Sequence, residues 1–282
     1  SVEQAETYRR QAKTGSIKKD ILTTAYLPTL VKEGVPVMDL GDIPSWQQNV
    51  PDSLKELTSK IGYFRVKSAA VVYNTETVSE PPEDISELVT SKFDDKTISI
   101  DVTPNATLPR VLLEKYGDEV PPRLEAVGSD MTGKEYVQAL GEQDLSLGDS
   151  SYKMLLDVGK GKSDIAFGGP MTVIYDLMAE GTPIEPMHHP SGHFLRPKGV
   201  GISSDPPHPA AAKLFVDYLL TSRSVQLGEE GVISLDMEQS NPTEATDWLT
   251  ADWQSYFPLM EMESSTKELR TSWKKALDVP SV

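Results

Sequence analysis

The sequence predicts an α/β protein with mostly parallel sheets, and three observations carry that prediction. Short apolar strands alternate with helical stretches between Thr97 and Ser203, the pattern of βαβ units. Ala69, Ala70, Val71 and Val72 form an unbroken apolar run, as in a parallel strand covered on both faces. The segment from Gly199 to Gly231 sets a short strand, a proline-rich turn and an amphipathic helix in succession. In that helix Ala211, Leu214, Phe215, Tyr218 and Leu219 fall at i, i+3, i+4, i+7 and i+8, one stripe to be buried. A chain of 282 residues is long enough for one large domain or two ordinary ones.

Glu3 to Thr14 reads as a helix ending near Gly15. Ile21 and Leu22 follow as a short strand, and a helix begins at Thr23 or Thr24, either of which can cap it. Gly34, Pro36, Gly41 and Pro44 make Glu33–Trp46 a loop, and residues 53–62 are short and helix-like. Tyr63 to Thr75 is a strand that Asn74 ends. Two prolines open a helix from Pro81 to Phe93, Thr97 to Val102 alternates as a strand, and helices follow near Leu108–Tyr116 and Lys134–Leu140. Ser150–Val158 is a helix begun by a serine pair, Asp164–Phe167 a buried strand, Met171–Glu180 a helix stopped by Gly181, and Ile184–Met187 a strand. Gly199–Ser203 is the next strand, and Pro206, Pro207 and Pro209 suit the helix start after it, where first-turn N–H groups have no partner to lose. Ser222 or Ser224 caps a second short helix stopping at Gly231, and Ser264–Leu277 is a final helix with Leu269, Trp273 and Leu277 on one face.

Composition excludes several classes of function. A hydrophobic share of 38% and a charged share of 25% are ordinary for a globular chain. No run approaches the roughly 20 apolar residues of a membrane span, and the opening SVEQAETYRRQ is not a signal peptide. A formal charge of −16 argues against nucleic acid and against a basic face on an anionic membrane, while leaving room for a locally positive cleft. The absence of cysteine removes disulfides, thiolate nucleophiles and cysteine metal sites. No G-x-S-x-G, no HExxH and no spaced carboxylate pair occurs, so no catalytic residue is expected.

The Gly199–Ser203 strand, the P-x-P-x-A-A-K-L-F-x-x-Y-L-L-T-S helix and the following x-Q-x-x-x-x-x-G resemble the closing segment of the solute-binding proteins of ABC importers, in the branch containing iron(III)-type binders. VVYNTETVSEPPEDISELV at 71–89, GKGKSDIAFGG at 159–169 and AEGTPIE at 179–185 resemble further segments of that family, in the same order. The resemblance implies a two-lobed, type II periplasmic-binding-protein-like fold. Residues 1–71 with 204–257 would form one lobe, 72–203 with 258–282 the other, and Tyr63–Thr75 and Gly199–Ser203 the hinge strands. The family's opening strand, helix and strand have no counterpart here, so the first lobe is expected to be incomplete at its start. The implied function is capture of a small anionic solute, phosphorylated, phosphonate or carboxylated, in the inter-lobe cleft. A monomer, periplasmic or extracellular and in some forms lipid-anchored, would deliver it to ABC permease subunits, with no cofactor, no metal and no nucleic acid. An iron(III) binder of the same family and the sensing domain of a regulator are the alternatives.

Helix starts beyond the carboxyl ends of strands offer unpaired N–H groups and the positive end of a dipole, which suits an oxyanion. Three starts carry small or hydroxyl residues: Thr23-Thr24, Ser150-Ser151, and Gly168-Gly169 leading to Thr172, where the glycines let a ligand approach the backbone. Ordinary capping is the alternative reading of each, and the resemblance favours Ser150, Ser151 and Gly169. It also sets Tyr73 and Asn74 beside the cleft, although Asn74 reads equally as a strand terminator. Arg65 could offer a guanidinium fork or be solvated. His188, His189 and His193 are the one close histidine cluster and read as a surface turn rather than a metal site, and His208 reads as a helix cap. Iron(III) binders of the family use adjacent tyrosines where Met171 and Thr172 stand here, leaving Tyr175 alone. Asn105-Ala106-Thr107 matches a glycosylation acceptor by chance.

Overall fold

The computed structural model describes residues 2–24, 27–50, 55, 58–101, 112–113, 116–148, 150–221 and 232–233, with residues 2–5, 29, 65–68, 190, 194–197 and 232–233 described by backbone alone. In chain order the elements are α1 (Val2–Lys13), β1 (Ile21–Thr24), α2 (Leu27–Lys32), α3 (Pro44–Asn49), β2 (Gly62–Asn74), β3 (Thr97–Asp101), α4 (Pro122–Glu125), α5 (Gly133–Gly141), β4 (Asp144–Gly148), α6 (Ser151–Gly159), β5 (Ile165–Pro170), α7 (Met171–Ala179), β6 (Ile184–Pro186), β7 (His193–Ile202), α8 (Pro209–Leu219) and β8 (Val232–Ile233). The described chain divides into two compact units, one of residues up to Lys67 with those from Arg196 to 233, the other of Ser68–Leu195. The chain passes from the first unit to the second within β2 and returns within β7.

In the first unit β1 lies antiparallel to the end of β7, with Ile21 opposite Ile202 and Thr24 opposite Gly199. The short β8 lies antiparallel to the start of β2, with Val66 opposite Ile233. Leu22, Leu30, Leu40, Ile61, Val200 and Ile202 are buried in its core. Trp46 is buried too, and its indole N–H donates to the carbonyl of Ile61 at 2.9 Å, so α3 closes what the sequence reads as open loop.

Helix α8 buries a different face from the one its sequence predicts. Ala212, Val216 and Leu220 are inside, whereas Leu214, Phe215 and Tyr218 are 72%, 46% and 42% exposed. The helix carries two apolar stripes, and periodicity cannot choose between them. Tethers to α3 do: the Ser45 amide donates to the Asp217 carboxylate at 3.0 Å, the Ser45 hydroxyl to the Asp217 carbonyl at 2.8 Å, and the Asn49 amide to the Leu220 carbonyl at 2.7 Å. A Cβ on Gly62 would stand 2.9 Å from the Leu220 side chain, so the glycine makes room for that packing.

The second unit holds strands in the order β4-β3-β5-β2, with β6 also paired to β2. β3 is parallel to β4 and β5, and β2 is antiparallel to β5 and β6. The expectation of mostly parallel sheets is therefore refined to a mixed one, since β2 arrives from the other unit rather than through a βαβ crossover. Val71 and Tyr73 face a cluster with Ile98, Ile165, Phe167 and Tyr136, while Ala70 and Val72 face one with Leu155, Val158, Ile174 and Leu177. Successive β2 side chains alternate between two covered faces, which is why the run 69–72 is apolar throughout.

Capping fixes the helices of this unit. Thr132 and Glu135 form a reciprocal capping box at the start of α5. The helix expected over Pro81–Phe93 is instead two 3₁₀ turns, Ile85–Val89 and Ser91–Phe93, because the Asp84 carboxylate binds the Ser86 amide and Thr90 is extended between them. Most of the expected helix near Leu108–Tyr116, residues 53, 54, 56 and 57 of the short helix-like stretch 53–62, the second short helix to Gly231, the acceptor Asn105 and the final helix from Ser264 lie outside the described residues, and Gly62 opens β2 rather than ending a helix. No helix among the described residues is long and apolar enough to cross a membrane.

Candidate functional site

Because β3, β4 and β5 are parallel, their carboxyl ends share one edge of the second unit, at Asp101, Gly148 and Gly168–Pro170. Helices α6 and α7 start at that edge, which presents their first-turn amides there. Ser150 is the N-cap of α6, and its hydroxyl accepts from the Lys153 amide at 3.4 Å. The next hydroxyl, Ser151, donates to the Asp101 carboxylate at 2.5 Å. Asp101 closes β3 and is 3% exposed.

Gly168 has φ +101°, a conformation that favours glycine, and leads through Gly169 and Pro170 into α7. Gly169 is closed to a ligand on its Cα face, because a Cβ there would lie 2.6 Å from the Leu155 side chain of α6. Thr172 is the second residue of α7 and Tyr175 stands one turn further on, both half-buried. Ser150, Ser151, Gly168, Gly169 and Thr172 thus share this edge of the sheet, and Tyr175 lies one turn into α7.

The other expected residues are elsewhere. Thr23 and Thr24 end a strand in the first unit and start no helix, since the following α2 begins at Leu27. Arg65 lies in β2, and its side chain is outside the described part of the structure. Tyr73 and Asn74 end β2, which runs against β5, so they fall at the opposite edge of the sheet, level with the start of β5. Buried Asn74 donates from its amide to the Val158 carbonyl at 2.6 Å and accepts from the Glu76 and Thr77 amides at 2.8 and 3.3 Å. That makes it a strand-end clamp. Tyr73 is buried and donates to Glu185 at 2.7 Å; burial first, then that bond, push its phenol well above the ordinary range.

The histidine cluster is split. His188 is exposed, His189 shares its Nδ1 with the Ser191 hydroxyl at 2.9 Å, and His193 is fully buried with Nε2–H donating to the Met187 carbonyl at 2.5 Å. His193 is therefore not the surface residue the sequence implies. Burial holds its pKa down to about 3. Beside it the buried Arg123 guanidinium, lowered to about 10 by desolvation, donates to the His193 carbonyl at 3.1 Å. His208 caps α8 through its backbone, its amide donating to the Asp20 carboxylate at 2.6 Å. No group of three or more His, Asp or Glu placed to hold a metal occurs among the described residues. Asp101 is the site residue that sequence reasoning missed; its signal was an acid closing the apolar strand Ile98–Ile100.

Residues 1–228 match the family model described as bacterial extracellular solute-binding protein. Comparison with curated proteins found no match. Among solved structures, the ferric iron-binding protein A of Mannheimia haemolytica in an open conformation superposes with a TM-score of 0.67 at 13% identity, covering 97% of this chain and 84% of that one. The substrate-binding protein of an ABC transporter from Agrobacterium tumefaciens gives 0.69 at 11%, covering 98% and 84%. The spermidine/putrescine substrate-binding protein of Streptococcus pneumoniae gives 0.66 at 12%, covering 97% and 88%. At such identities the likeness is one of fold.

Proposed function

The chain belongs to the bacterial extracellular solute-binding protein family, and from that premise we propose that it captures a small solute at the carboxyl edge of β3, β4 and β5 and passes it to the permease subunits of an ABC importer. The reading is carried by one observation: α6 and α7 both begin at that edge, with Ser150, Ser151, Gly168 and Thr172 partly accessible. The importer is supported by structural neighbours named as ABC transporter substrate-binding proteins. The protein acts as a monomer outside the cytoplasmic membrane, in the periplasm or anchored by lipid, and holds its solute without transforming it.

Two solute classes use this edge differently. A phosphorylated, phosphonate or carboxylated anion would draw on the helix-start amides and on the exposed Lys153. A solute bearing hydrogen-bond donors would draw on Ser151 and the charge of Asp101 behind it. Ferric ion is a third candidate, favoured by neighbours named as ferric-binding, with Tyr175 the one tyrosine in α7 to ligate it. A thermal-shift screen followed by calorimetry tests the function, using phosphate, phosphonates, dicarboxylates, amines and ferric citrate. Stabilisation by one class, lost in Ser150→Ala/Ser151→Ala, is the expected result. No stabilisation by any solute overturns the reading.

A further inference from the structure

We draw no further inference here: the strongest candidate, the exposed apolar stripe of α8 at Leu214, Phe215 and Tyr218, is a helix face for which nothing in the structure shows what covers it.

Discussion

Acidification should destabilise this protein through His193, beginning above the pH at which its carboxylates protonate. The imidazole is fully buried, donates to the Met187 carbonyl, and has its pKa lowered from 6.5 to about 3 by burial. A folded-state pKa below the unfolded one means that the unfolded chain binds the proton first, so stability falls as pH drops through the window between 6.5 and 3. At pH 4.5 the two units of pH below the unfolded value correspond to about 2.7 kcal/mol, at about 1.36 kcal/mol per unit. Against a total stability of about 5–15 kcal/mol this is a large fraction. Urea denaturation at pH 7 and pH 4.5 measures it, with His193→Gln as the non-titrating control that retains a donor for Met187. The wild type should lose about 2–3 kcal/mol more than the variant over that interval. Equal losses would mean that His193 takes up its proton in the folded state, and the buried placement would be wrong.

Three further outcomes follow from the packing. Asn74→Ala should cost about 2–3 kcal/mol in urea denaturation, because it strips partners from the Val158 carbonyl and two amides, yet leave solute affinity unchanged. Loss of affinity in a folded Asn74→Ala would return that residue to the site. Gly169→Ala should destabilise by about 1–3 kcal/mol, since its methyl would meet Leu155 at 2.6 Å. Val216→Ala should cost about 2 kcal/mol while Leu214→Ser stays within about 0.5 kcal/mol, by thermal or urea unfolding, and the reverse ranking would restore the stripe that the sequence predicts.

Strand direction separates the legible parts of this molecule from the rest. Periodicity and caps place most elements near their observed bounds: the serine pair marks the start of α6, Gly181 the end of α7, and the apolar run 69–72 a strand covered on both sides. Each signal is local, carried by neighbours in the chain. Which residues share a site depends on pairing between strands far apart in sequence, and no local pattern encodes it. Tyr73-Asn74 and Gly168-Gly169 both sit at strand ends, and a parallel arrangement would set them on one edge. β2 runs antiparallel to β5, with Tyr73 opposite Ile165, and the two pairs are thrown to opposite edges. The same reasoning explains why Asp101 was missed and Ser151 was not: a hydroxyl before a helix announces itself as a cap, but an acid at a strand end gains its meaning only once β3 is laid parallel to β4 and β5 and the α6 serine is carried to it.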